Sequence, residues 1–236
     1  LRKSGLSIPI LVLGDVSKEQ CEISVENDLT QAVPSLITAY HLNEIALRTG
    51  KKARVHIKLD TGMGRIGFYK ISDLKNAVKE MKKMEGLSIE GVFTHLATAD
   101  EEDSKYTIEQ INRMENMLKV ISGCGIQVKW VHVSNSAGIL MYPQAQYNMV
   151  RCGISMYGYY PSNYVREKVK VCLEPILQWE TRILFIKSLE AGSSVSYGRS
   201  FIASSTRKVA TLPVGYADGY NRLLGNRASV LIHGKR

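Results

Sequence analysis

The sequence predicts an α/β fold built on a parallel sheet, open or closed into a barrel, followed by a second, mostly β domain. Three observations carry this. Short apolar runs alternate with amphipathic helical stretches through residue 172, the rhythm of successive βα units. That rhythm stops near Leu173, beyond which strand-like segments follow one another without a helix. Ionisable residues recur at the ends of the successive strands, where the sites of parallel barrels gather.

The elements follow in order. Ile8 to Leu13 (IPILVL) is a short apolar run closed by Gly14, which suits a buried strand. Ser35 to Thr49 has helical spacing (Leu36, Ala39, Tyr40, Ile45) and stops at Gly50. Val55 to Leu59 reads as a strand, Ser72 to Met84 as a helix capped by Ser72, and Ile89 to Thr94 as a strand. Thr107 to Ile121 is a long amphipathic helix, with Ile108, Ile111, Met114, Leu118 and Ile121 along it. Val128 to Val133 is a strand, a short helix follows Ser136, and Met149 to Ile154 is a further strand. In the second domain, residues 173–236, Gln178 to Ile186 and Lys208 to Leu212 read as strands, and Val230 to Ile232 as the start of another. Between the first two lies a Gly/Ser-rich stretch around Gly192, Ser193 and Ser194.

Composition narrows the class. With 44% hydrophobic and 22% charged residues the chain can bury a sizeable core, which excludes general disorder. The net charge of +9 raises nucleic acid as a partner, but the basic residues are scattered, as in Lys75, Lys79, Lys82 and Lys83, and no aromatic residues interleave with a basic stripe. Neither nucleic acid nor membrane contact is expected. Cys21, Cys124, Cys152 and Cys172 form no CxxC pair and no metal-ligand spacing, so reduced thiols in a cytoplasmic setting are expected, and no metal. No apolar run approaches the roughly 18 residues that span a bilayer.

The informative residues are polar ones in places that should be apolar. Alternation along residues 55–60 puts Val55, Ile57 and Leu59 on one face of the strand and His56, Lys58 and Asp60 on the other. If the apolar face packs on helices, the ionisable face points into the barrel, where unpaired groups are costly. His95 follows the next strand, His132 and Ser134 share a face of the one after, and Arg151 shares a face with Gly153. Thr61 to Gly67 delivers Arg65 just beyond the strand end that carries Lys58, though its glycines match neither phosphate-binding fingerprint. Ser134-Asn135-Ser136 and Gly153-Ile154-Ser155 offer hydroxyls and backbone N–H groups suited to a phosphate.

These residues sit in blocks: HIKLDTGMGRIGF (56–68), THLATADE (94–101), HVSNSAG (132–138), VRCGISMYG (150–158), VSYGRSF (195–201) and LPVGYADGY (212–220). Together and in this order they resemble the alanine racemase family, the fold type III enzymes that use pyridoxal 5'-phosphate (PLP). The resemblance implies a TIM-like (β/α)8 barrel over residues 1–172, with its N-terminal part missing from this chain, and the start of a β domain over 173–236. It implies a two-base racemisation of L-alanine to D-alanine, supplying peptidoglycan synthesis. Arg151 resembles the arginine that hydrogen-bonds the pyridine nitrogen, with His132 supporting it, and His95 the residue packed on the cofactor ring. Ser136, Gly153 and Ile154 resemble phosphate binders, with Asn135 beside them. Arg65 resembles the arginine that meets the phenolic oxygen and the substrate carboxylate, Lys58 the lysine carbamylated in many members, and Asp100 a residue of the substrate corridor. Tyr216 resembles the tyrosine base that enters from the partner of a homodimer.

The other base, the Schiff-base lysine, lies in the family within a motif like AVVKANAYGHG, which does not occur here. The chain begins at Leu1, so that motif is expected upstream, and the chain alone is expected to be inactive. The same framework serves the serine racemases of vancomycin resistance, whose racemase domain is joined to a membrane domain. Serine is therefore the alternative substrate, and a non-catalytic PLP-binding barrel the alternative class.

Overall fold

A computed structural model describes residues 1–236, which divide into two compact units, Leu1–Ile176 and Leu177–Arg236.

The first unit runs β1 (Leu11–Val12), α1 (Lys18–Glu26), β2 (Thr30–Val33), α2 (Leu36–Thr49), β3 (Ala53–Lys58), α3 (Ile71–Met81), β4 (Leu87–Phe93), α4 (Lys105–Gly123), β5 (Trp130–His132), α5 (Ser136–Met141) and α6 (Asn163–Lys168). The five strands lie in one sheet in the order β1-β2-β3-β4-β5, and every pair is parallel. A doubly wound sheet would reverse its order at a switch point. An order that never reverses winds in one sense only, which is the construction of an α/β barrel.

Local chemistry explains most boundaries. α2 starts where the Ser35 side chain accepts a bond from the Thr38 N–H and stops at Gly50, whose φ of 65° closes the helix. α1 and β2 are absent from the reading of the sequence. α1 is held by a capping box between Ser17 and Gln20, and it buries only Cys21, Ser24 and Val25, too few apolar groups to show a period. β2 reads Thr-Gln-Ala-Val and is buried throughout. Ser72 is not the cap of α3: Lys70 precedes that helix and makes no side-chain cap bond, while the Ser72 hydroxyl turns to Asp73. The strand expected at Met149–Ile154 does not form. Met149 makes a single parallel bridge to His132, and the chain then turns into a 3-10 helix at Ile154–Tyr157, because the Gly153 and Ser155 N–H groups bond the Ser136 side chain instead of a neighbouring strand.

Val55, Ile57 and Leu59 are fully buried against Leu42, Ile45, Leu74, Val78, Met114 and Met117 of the helices. Each such side chain contributes about 1.5–3 kcal/mol on leaving water. This core holds the opposite face of β3 toward the barrel interior.

In the second unit β6 (Phe185–Leu189) pairs antiparallel with β9 (Arg207–Thr211), and a small hairpin joins β7 (Ser194–Val195) to β8 (Phe201–Ile202). The strand expected from Gln178 begins only at Phe185, since its first residues find no partner strand. Val230–Ile232 forms only a bridge from Ile232 to Lys235.

Candidate active site

Three strands and the segment after β5 bring their polar residues together. His56 and Lys58 come from β3, His132 ends β5, and His95 follows β4. His56 Nδ1 lies 2.8 Å from His132 Nε2, and His132 Nδ1 lies 2.7 Å from Arg151 Nη1. Arg151 Nη1 also donates to the His132 carbonyl, and Nη2 to the carbonyls of Thr94 and Val133, with His95 Nδ1 at 3.3 Å.

This chain has a direction. A guanidinium only donates, so His132 Nδ1 must accept. The single proton of neutral His132 is therefore on Nε2, where it donates to His56 Nδ1, and the His56 proton sits on its own Nε2. Burial supports the neutral forms: it pushes His132 down to about 2 and His56 to about 4, and Arg151 reinforces the shift at His132. Burial, with Arg151 next, likewise pushes His95 down to about 4. Burial lowers Arg151 only to about 10, so it stays charged at neutral pH. Four of its donors meet the acceptors named; Nε–H has no partner. Gly91 makes room for the arrangement, since a Cβ there would lie 2.6 Å from the His56 ring.

Lys58 is 2% exposed, donates to the Leu59 carbonyl at 2.7 Å, and lies 5.3 Å from the Phe93 ring centre. Burial pushes its amine down to about 8; Asp60 opposes the shift, while Arg151 and Arg65 add to it. Asp60 accepts from the N–H groups of Gly62 and Gly64, shaping the turn that presents Arg65 to solvent.

At the other end, Ser136 Oγ accepts from the N–H groups of Gly153 and Ser155, which leaves its own O–H to give. The Ser155 hydroxyl is buried with no hydrogen-bond partner. An orphaned buried hydroxyl costs about 1–3 kcal/mol, and a polar ligand group seated beside it would remove that cost. With the Ser136 O–H and the turn at Ile154, that hydroxyl offers neutral donors of the kind a phosphate takes. The residues present therefore fit a ligand with a phosphate at one end and a ring acceptor near Arg151. Asn135 serves the local backbone instead. Its side-chain oxygen caps α5 at the Gly138 N–H, and its amide nitrogen donates to the Leu96 carbonyl.

Asp100 stands in the turn after β4, where its carbonyl accepts from Ser162 Oγ at 2.7 Å. Tyr216 belongs to the second unit, in a short 3-10 turn, 69% exposed, with the Arg222 guanidinium 6.0 Å over its ring. Reading the sequence missed Gln110, which donates to the His95 carbonyl, the paired Thr61 and Thr94 hydroxyls, and Tyr106, which donates to the Gly62 carbonyl in the turn before Arg65, and gave Ser155 only as a general donor. Gln110 carried one available signal, an uncharged polar residue where the apolar stripe of α4 continues.

Fold and site together define an α/β-barrel protein with a cation-rich ligand site at the C-terminal ends of its strands. The family model described as alanine racemase, N-terminal domain, matches residues 1–161, and that of the C-terminal domain matches 176–236. The chain belongs to the alanine racemase family. It is 44% identical over 235 residues to alanine racemase 2 of Caldanaerobacter subterraneus subsp. tengcongensis, covering 100% of this chain and 60% of that protein. It is 45% identical over 236 residues to the alanine racemase of Symbiobacterium thermophilum, covering 100% of this chain and 62% of that protein. Among solved structures, alanine racemase of Clostridium difficile 630 superposes with a TM-score of 0.85 at 41% identity over 94% of this chain and 58% of that one. The Bacillus anthracis enzyme with bound L-Ala-P superposes with 0.86 at 34% identity over 94% and 57%. The chain thus spans about 60% of the length of the relatives it matches. No helix is long and apolar enough to cross a membrane.

Proposed function

We propose that the protein carrying this chain is a PLP-dependent alanine racemase, that it interconverts L- and D-alanine and feeds cell-wall synthesis, and that it works in the cytoplasm as a homodimer. The observation that supports this best is the directed chain from Arg151 through His132 to His56. It leaves one charged donor, Arg151 Nε–H, without a partner, and no carboxylate lies among the partners of that guanidinium.

PLP, when bound, supplies an electron sink for the Cα carbanion. Arg151, being hard to deprotonate, would donate to the pyridine nitrogen and leave it without a proton. An unprotonated nitrogen would keep the sink weak, as racemisation without transamination requires. His95 would pack on the ring, and Ser136, Gly153, Ile154 and Ser155 would hold the phosphate. Arg65 binds the substrate carboxylate, and Asp100 lines the approach. Lys58, with its amine at about 8, has enough free base near neutrality to add carbon dioxide, forming an N–C bond and releasing a proton. The resulting carbamate replaces a cation beside Arg65 with an anion that pairs with it. Tyr216, reaching the partner's site, takes the Cα proton of L-alanine, and a lysine outside these 236 residues serves the opposite face. Two bases on opposite faces invert the centre most directly. Alanine is preferred over serine as substrate because relatives at 40–45% identity are named alanine racemases; a structural neighbour at 27% identity is named a histidine racemase, so the framework itself does not dictate the side chain.

The test uses the complete protein. A yellow band that hydroxylamine bleaches, with loss of deuterium from the Cα of L-alanine, is the expected result. A colourless protein that leaves the label in place defeats the reading.

A further inference from the structure

The buried stripe of α4 runs Thr107, Gln110, Ile111, Met114, Met117 and Ile121. Gln110 is 0% exposed, at a position where an apolar side chain would extend the core at no hydrogen-bonding cost. Its amide is instead fully used. Oε1 accepts from the Ala97 N–H at 2.8 Å, and Nε2 donates to the His95 carbonyl at 3.0 Å and to Thr61 Oγ1 at 3.3 Å. The Thr61 and Thr94 hydroxyls close the loop at 2.8 Å. One turn earlier, Tyr106 OH donates to the Gly62 carbonyl at 2.7 Å. Gly62 has φ of 143°, and a Cβ there would meet Tyr106 OH at 2.5 Å, so the turn and the helix are fitted to each other.

One face of α4 thus grips two segments at once: Thr61 and Gly62, at the start of the turn that leads to Arg65, and residues 95–97, which start with His95. We propose that Gln110 is a positioning residue that sets the distance between Arg65 and His95, and so the fit of the substrate carboxylate, with Tyr106 as its weaker second grip. The proposal rests on the reading of Arg65 and His95 as ligand-contacting residues. Neither Gln110 nor Tyr106 touches the ligand in that reading. Gln110 acts by fixing the turns on which two contacting residues stand.

The experiment compares wild type, Gln110→Met and Tyr106→Phe in the complete holoenzyme, with Ser122→Ala, which removes a bond to the Lys119 carbonyl at the far end of α4, as the control. Amide hydrogen exchange is followed over residues 61–67 and 95–98, together with KM and kcat for alanine. Gln110→Met is expected to speed exchange in both segments and to raise KM about tenfold, the scale of one weakened hydrogen bond to the substrate carboxylate, with kcat changed less and the cofactor band retained. Tyr106→Phe, at a half-exposed position, leaves folding intact and is expected to speed exchange in 61–67 only. Ser122→Ala is expected to leave exchange in both segments and KM unchanged; a comparable rise in KM there overturns the proposal. Unaltered exchange in both segments with Gln110→Met, or a fall in kcat without a rise in KM, overturns the proposal. Should Gln110→Met fail to fold, unaltered exchange in Tyr106→Phe overturns it alone. If wild type shows no cofactor band but exchange still rises as described, the reading of the ligand fails while the grip of α4 on both turns stands.

Discussion

Strands β3 and β6 each carry aliphatic side chains, yet they live differently. In β3, Val55, Ile57 and His56 are buried, and Lys58 is 2% exposed. In β6, Phe185 and Ile186 are more than half exposed and only Leu189 is buried. The difference is one of surroundings. β3 has a parallel neighbour on each side and helices over its apolar face; β6 pairs only with β9. A lysine can be held near neutrality, and a histidine locked in one tautomer, only where dense packing removes water and supplies fixed partners. The exposed turn with Tyr216 suits the opposite role, offering a side chain outward.

The comparison can be tested by stability. Ile57→Ala is expected to cost about 2–5 kcal/mol in denaturant unfolding, because the helices around it cannot collapse into the space, whereas Phe185→Ala should cost well under that. Equal losses would erase the contrast. Acid sharpens it next. His56 and His132 are buried with pKa values below the ordinary 6.5, so in acid the unfolded chain binds protons that the folded chain refuses. Stability is present above about pH 6.5 and is lost as pH falls toward 4, by about 1.4 kcal/mol per pH unit for each histidine. His56→Phe should reduce that slope in urea titrations between these pH values; an unchanged slope would show that His56 is not held neutral. The smallest stability effect is expected for Tyr216→Phe, within about 0.5 kcal/mol of wild type. That variant should nonetheless lose turnover of L-alanine while keeping the cofactor band. Retained L-isomer turnover would remove Tyr216 from its proposed role.

Much of the first unit was legible in the sequence. α2 and β3 announce themselves through a cap, a closing glycine and strict alternation. α1 and β2 do not, since one has too few apolar residues for a period and the other is a short polar-looking run buried on both faces. Residues 149–154 read as a strand in the βα rhythm, with Val150 and Ile154 as good strand formers, but propensity lost to two backbone N–H groups that found the Ser136 side chain. In the site, charged and aromatic residues at strand ends were visible because they break an apolar pattern. Thr61 and Thr94 were not, because uncharged polar residues at a strand end or in a turn are ordinary until their partners are known; Gln110 showed only as a polar break in the apolar stripe of α4.

By itself, the sequence determined the βα rhythm, the inward face of β3 and the block order that marks the family, since each depends on spacing along the chain. Only the tertiary structure decided the sense of winding, the direction of the Arg151–His132–His56 bonds, the orphaned Ser155 hydroxyl and the grip of α4 on two turns. Those depend on which distant segments meet: a hydrogen bond between residues 49 or 76 apart in sequence leaves no period to read, and a pKa moves only when packing has removed the water.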